Sequence, residues 1–164
     1  SQKVTLIVNG KLVYRGKVCP DMKHLVNSCA IFFDPERLYA EGIEVECLPG
    51  ATALIPAVVN SGLPCDSFYF NGFLPHKKGK ESTLRRLSEM KETVVFYESP
   101  HRLAKTLVMM QSFFEEDTPI SISRELTKIH EENFRSTLAD AIAHFPLDKE
   151  VKGEIVGVVG RVKG

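Results

Sequence analysis

An α/β domain of about five strands with helices on its faces is the architecture this sequence predicts, and three observations carry that expectation. From Gly42 onward, apolar runs of strand length alternate with segments of helical spacing. Turn-forming pairs, Pro49-Gly50 and Ser61-Gly62 among them, separate the segments. Charged and hydroxyl groups cluster where two of the runs end, at Tyr97-Glu98-Ser99-Pro100-His101-Arg102 and at Arg124-Glu125-Leu126-Thr127-Lys128. Open α/β sheets build their ligand sites at such strand ends.

Taken in order, residues 4–8 form a short apolar strand that closes at Asn9-Gly10, a good hairpin turn, before a second strand at 11–14. In 16–40, residues 21–28 have the spacing of a short helix with Met22, Leu25 and Val26 on one face, and Pro35 opens another at 35–39. Residues 43–47 alternate like a half-buried strand, with Cys47 in phase with Ile43 and Val45. A helix follows over 52–60, ended by Gly62 in a left-handed cap, and Pro56 is expected to kink it or to confine its regular part to either side.

Residues 68–70 form the next strand, 71–80 a loop, and 82–90 a surface helix capped by Ser82. A buried strand at 93–97 leads into a helix over 100–114, with Leu103, Leu107, Met110 and Phe114 at core-facing spacing. A strand at 119–123, a helix at 137–145 capped by Ser136, and a last strand at 154–159 complete the domain.

With 164 residues, 43% hydrophobic and 26% charged, the chain has globular composition and room for one ordinary core, or one domain and an arm. No apolar run approaches the ~18 residues of a membrane-spanning helix, and no signal peptide precedes the first strand, so a soluble cytoplasmic protein is expected. Basic and acidic residues both number 21, so any affinity for nucleic acid must come from a local patch. Cys19, Cys29, Cys47 and Cys65 form no Cys-x-x-Cys pair, which argues for reduced thiols and against a zinc site.

Each motif admits a plain and a functional reading. Pro49-Gly50-Ala51-Thr52-Ala53 is a tight turn, or one whose small residues let a ligand approach the amides at the helix start. The loop from Asn71 to Lys80 carries Lys77, Lys78, Lys80 and His76, with Arg85 and Arg86 beyond; it is a solvated run of charge, or a phosphate-holding patch beside Phe73. Glu98 and Ser99 cap the following helix, or Glu98 binds ribose hydroxyls or fixes Arg102, which can hold a phosphate bidentately. The 124–128 cluster, with Glu131, Glu132 and Arg135 nearby, is a surface salt-bridge network or the second wall of a cleft.

Together these stretches, with Ser61-Gly62-Leu63-Pro64, His130-Glu131-Glu132, Thr137-Leu138 and Gly153-Glu154-Ile155-Val156, resemble the bacterial ribosomal RNA cytidine-2'-O-methyltransferases, within the class III, tetrapyrrole-methylase-like enzymes. The resemblance covers residues 42–159. It implies the carboxyl-terminal domain of such an enzyme: a mixed sheet flanked by helices, methyl transfer from S-adenosylmethionine to a cytidine 2'-hydroxyl of small-subunit ribosomal RNA, and a homodimer. It also implies a cofactor cleft containing Pro49, Thr52, Ala53, Tyr97, Glu98, Ser99, Arg124, Glu125, Gly153 and Glu154. Lys77, Lys78, Lys80 and Arg102 become the candidates for contacting RNA; no metal and no general base is assigned.

The family's amino-terminal Pro-x-Gly-Asn-Leu and Glu-Asp-Thr-Arg segments do not occur in residues 1–41, where only Asp34-Pro35 matches a family element. Residues 1–41 are therefore read as a divergent arm or remnant, and 42–164 as the methyltransferase carboxyl-terminal domain. Two other functions stay open: a non-catalytic RNA-binding or dimerisation module, and a methylase of a small tetrapyrrole.

Overall fold

The computed structural model describes residues 3–8, 11–17 and 52–160. The chain divides into two compact units, Ser1–Thr52 and Ala53–Gly164, where sequence had suggested a boundary at 41/42. In the first unit, β1 (Lys3–Val8) and β2 (Lys11–Lys17) pair antiparallel, with a register shift between Leu6 and Ile7. This is the expected pair of strands, the second reaching Lys17 rather than Tyr14. The turn between them, the helices expected in 16–40, the strand expected at 43–47, Pro49 and three of the four cysteines lie outside the described residues; Cys65 is free and exposed.

The second unit contains α1 (Leu54–Ser61), β3 (Phe68–Phe73), α2 (Lys80–Ser88), β4 (Thr93–Glu98), α3 (Pro100–Met110), β5 (Pro119–Arg124), β6 (Glu132–Thr137), α4 (Leu138–His144) and β7 (Ile155–Val159). The sheet order is β3-β4-β7-β5-β6. Only β3 and β4 are parallel; β7 runs antiparallel to both β4 and β5, and β6 antiparallel to β5. The last strand is therefore inserted at the centre, and all five of its residues are buried.

Alternation along the strands splits the core into two layers. On one face Val94, Phe96, Ile120, Ile122, Ile155 and Val159 meet Leu84 and Leu87 of α2, Leu103, Leu107 and Met110 of α3, and Leu138 and Ala141 of α4. On the other, Val95, Val156 and Val158 meet Ala57 and Val58 of α1. The mixed α/β sheet is the one expected, though its membership differs. β6 went unrecognised because it offers a single large apolar residue, Phe134; what holds it is polar pairing in register, Ser123 Oγ donating to Asn133 Oδ1 (2.7 Å) and Arg124 facing Glu132.

Other expectations are corrected locally. β3 extends through Asn71-Gly72 to Phe73, which had been read as loop. Helix α2 begins at Lys80 behind Gly79, so Ser82 lies inside it and donates to the Gly79 carbonyl instead of capping. Pro56 sits in the first turn of α1, where its missing N–H leaves no hydrogen bond unmade, so no kink is required. Thr137, not Ser136, caps α4 by accepting from the Asp140 N–H, while Ser136 donates to the Asp140 carboxylate. Helix α3 stops at Met110, short of Phe114, and Gly62 takes the expected left-handed conformation at φ 68°.

The tip of the Phe96 ring fills the space beside Gly157 of the neighbouring strand, and a Cβ there would fall 2.3 Å from the ring. Gly157→Ala is therefore expected to cost roughly 1–3 kcal/mol of unfolding free energy by overpacking. Adding Phe96→Leu should recover part of that loss; urea midpoints of the two variants check both outcomes.

Candidate functional site

One edge of the sheet collects the candidate residues. Because β4 and β5 point the same way with β7 reversed between them, Glu98 and Arg124 both lie opposite Ile155. The ends of β4 and β5 and the start of β7 thus bring Tyr97-Glu98-Ser99, Arg124-Glu125 and Gly153-Glu154 together. The Glu125 N–H donates to the Glu154 carbonyl at 3.0 Å. Past the other end of α1, a Cβ on Gly160 would meet Leu63 at 2.8 Å, which places that end at the far side of the sheet. Helix α1 consequently starts near the collecting edge, with Ala53 as an N-cap that offers no side-chain hydrogen bond.

Glu98 is 2% exposed, and it closes β4 as the hub of a network. One carboxylate oxygen, Oε2, accepts from Lys80 Nζ (2.7 Å) and Thr106 Oγ1 (2.7 Å). The other, Oε1, accepts from the Ser99 N–H (2.7 Å) and Arg102 Nε (2.9 Å). Burial pushes the carboxyl up, but the hydrogen bonds from Lys80, Thr106 and Ser99 and the Lys80 charge outweigh it, so Glu98 sits below the ordinary glutamate value.

Lys80 is correspondingly buried, and its ammonium also donates to Thr106 Oγ1. It faces inward onto this network, away from the solvent where an RNA contact was expected of it. Lys77 and Lys78 in the same loop are exposed, and the Arg102 side chain is 23% exposed.

The second strand end is built from strained backbone. Glu125 and Thr127 adopt φ of 51° and 66°, which non-glycine residues seldom do. Glu125 Oε1 accepts from the Glu154 N–H (2.8 Å) and from Lys128 Nζ (2.9 Å), and Lys128 also reaches Glu154 Oε2 (3.3 Å). Burial raises the Glu125 carboxyl, yet the Glu154 amide and Lys128 bring it below its ordinary value; Lys128 is raised, chiefly by its bond to Glu125. Gly153, at φ 99°, is required here because a Cβ would lie 2.2 Å from Glu125 Cγ.

Arg124 is held beside this loop, its Nε donating to Glu132 Oε2 (2.9 Å) and its Nη1 to the Lys152 carbonyl (3.2 Å). Glu132 Oε1 in turn meets His144 Nε2 at 2.6 Å, and the His144 ring stacks on Phe134. Sequence reasoning missed Thr106 and His144. Arg102 and Thr106 are four apart on α3, a spacing that was legible as one helical face. Nothing local links His144 to Glu132, twelve residues earlier. Among the described residues no group of three or more His, Cys, Asp or Glu is placed to hold a metal ion, and no helix is long and apolar enough to cross a membrane.

Comparison with known proteins now bears on this site. Residues 34–142 match the family model described as Tetrapyrrole (Corrin/Porphyrin) Methylases, beginning at the Asp34-Pro35 element. The chain is 44% identical over 118 residues to the Ribosomal RNA small subunit methyltransferase I of Synechocystis, covering 71% of this chain and 42% of the relative. It is 42% identical over 124 residues to the protein of that name from Thermotoga maritima, covering 76% and 55%. The chain thus spans about half the length of these curated relatives.

Among solved structures, the methyltransferase CobJ is similar with a TM-score of 0.56 at 24% identity, covering 79% of this chain and 59% of that one. Uroporphyrin-III C-methyl transferase from Thermus thermophilus, complexed with S-adenosyl homocysteine, gives a TM-score of 0.53 at 17% identity, covering 82% and 62%. At these identities the two structures establish the fold.

Removing the Glu98 charge leaves the Lys80 ammonium buried without its counter-ion. Glu98→Gln is expected to cost about 3–5 kcal/mol of stability, and Glu98→Gln combined with Lys80→Met should cost less than the sum of the single changes. The hub also sets an acid limit. As pH falls through 4.5 the unfolded chain takes up the Glu98 proton before the folded one does. The contribution of Glu98 is therefore fully present above that range and is lost as pH drops through the lower folded value. Urea titrations from pH 7 to pH 3 should show this loss in the wild type, reduced in Glu98→Gln.

Proposed function

Because this chain belongs to the tetrapyrrole (corrin/porphyrin) methylase family, we propose that it is the carboxyl-terminal domain of an S-adenosylmethionine-dependent methyltransferase. On this reading residues 42–164 are the methyltransferase part, and the substrate is the 2'-hydroxyl of a cytidine ribose in small-subunit ribosomal RNA. The observation that carries it is identity above 40% to proteins named for small-subunit ribosomal RNA methylation, over more than two-thirds of this chain. The solved structure named for uroporphyrin-III methylation is far more distant in sequence, at 17% identity. A cytoplasmic homodimer is part of the same proposal.

The collecting edge supports a cofactor cleft in a form narrower than the sequence suggested. Glu98 is enclosed by Lys80, Thr106, Arg102 and the Ser99 amide, so it acts as the support that fixes Ser99 and Arg102. What the edge presents is Ser99, the partly exposed Glu154, the backbone at Gly153 and the small residue Ala53. Hydroxyl, carboxylate and close-packed backbone suit the ribose hydroxyls and the amino-acid end of S-adenosylmethionine. When bound, S-adenosylmethionine would supply an electrophilic methyl on its sulfonium for the 2'-oxygen, the S–CH3 bond breaking to leave the neutral thioether and the hydroxyl proton passing to solvent. The task of the chain is positional: to hold that hydroxyl in line, with Arg102, Lys77 and Lys78 on the surrounding phosphates.

Calorimetric titration of the chain with S-adenosylmethionine tests this reading. Saturable binding is expected, weakened at least tenfold by Gly153→Ala, whose Cβ displaces Glu125 from the edge. A folded chain that does not bind the cofactor would overturn the proposed cleft, and methyl transfer to isolated small ribosomal subunits is the assay for the substrate.

A further inference from the structure

Strand β3 carries an irregularity that the sheet itself does not need. In an unbroken strand Phe70 and Phe73, three residues apart, would point to opposite faces. The pairing with β4 shifts instead, Phe70 facing Val95 and Gly72 facing Phe96, so that Asn71 is an extra residue and Gly72 takes φ 70°. Both rings consequently reach Tyr97 on β4, with centroids 5.1 and 5.3 Å away. They lie on the face that carries α1; among the described residues α1 packs mainly on β5, β7 and β6, and on the β3 side Phe68 joins that layer. Phe70 and Phe73 are 40% and 45% exposed there.

Exposed aromatic rings held edge-on or tilted against a third ring keep faces open for stacking, and stacking accepts any base. The chain leaves Phe73 directly into the loop with exposed His76, Lys77 and Lys78. Lys77 and Lys78 are four and five residues past Phe73, at most about 14 and 18 Å along the chain, so both lie within reach of a backbone whose bases rest on the rings. Lysine is depleted at protein–protein interfaces but holds phosphates readily, which favours a nucleic acid over a protein on this face. Tyr97 also adjoins Glu98-Ser99, so a base stacked here sits beside the collecting edge.

Resting on the reading that the substrate is RNA, we propose that Phe70, Phe73 and Tyr97 form a platform on which unpaired bases of that RNA stack, while Lys77 and Lys78 hold the adjoining phosphates. The β3 bulge exists, on this view, to bring two rings to one face. The platform would select single-stranded or looped RNA over duplex, since only splayed bases offer their faces.

Fluorescence anisotropy with a labelled unstructured 12-nucleotide RNA and a matched RNA duplex tests this. Phe70→Leu and Phe73→Leu keep apolar volume and should weaken single-strand binding by roughly five- to a hundredfold each, leave duplex binding unchanged, and preserve the salt slope. Phe73→Trp should retain affinity, while Lys77→Ala and Lys78→Ala should each lower the slope of log K against log salt by about 0.7. Thermal melting confirms that the variants are folded. Single-strand affinity unchanged in both leucine variants, or a wild-type chain without preference for single strands, overturns the platform. Leucine variants that convert a dimer to monomer by light scattering, with RNA affinity intact, would overturn it in favour of a protein interface. Cofactor binding is read separately by calorimetry, so its failure removes the methyltransferase reading without deciding the platform.

Discussion

The buried carboxylate of Glu98 is the constraint around which the second unit is organised. It ends β4, and its two oxygens are shared among the start of α2 through Lys80, the first turn of α3 through the Ser99 amide and Arg102, and the next turn of α3 through Thr106. A charge removed from water is tolerable only if each lone pair is met, and here four donors meet it. That requirement fixes two helix starts relative to one strand end. The backbone beyond Glu98 therefore emerges at a defined place, which is what a ligand edge needs.

The second organising feature is the return of the chain's last strand to the sheet centre. With β7 antiparallel between β4 and β5, the ends of two strands and the beginning of a third share one edge. The loops there cannot be arbitrary. Glu125 and Thr127 accept left-handed backbone, and Gly153 gives up its side-chain space to Glu125, so that the loop ladder from Glu125 to Glu154 can close. Strain of this kind persists where surrounding hydrogen bonds over-determine it, and it is common at sites that bind. The Glu125 carboxyl is lowered and Lys128 is raised by these contacts, so this pair stays ionised through neutral pH.

A third device, the bulge in β3, works at the sheet margin rather than the core. Edge strands tolerate an extra residue because one side of their ladder is open, and here the extra residue moves a phenylalanine from one face to the other. The hub, the collecting edge and the aromatic margin meet along three consecutive residues, Tyr97, Glu98 and Ser99. One strand end thus carries an aromatic support, a buried anchor and a half-buried hydroxyl in succession, because alternation sends Tyr97 and Glu98 to opposite faces.

The sequence alone determined the α/β class, most of the strands and helices of residues 52–160, and the two strand-end clusters, because those features follow from local periodicity and turn chemistry. It could not place β6, whose stability comes from polar partners in β5 rather than from its own apolar pattern. Nor could it separate Lys80 from Lys77 and Lys78. The three look alike in a basic run, and only the helix starting at Lys80 turns that one ammonium onto Glu98, 18 residues away. The face of Phe73 was likewise decided by register, which depends on how β3 meets β4 and not on β3 itself. Local chemistry named the residues that matter, and long-range pairing decided which of them are anchors and which are left facing solvent.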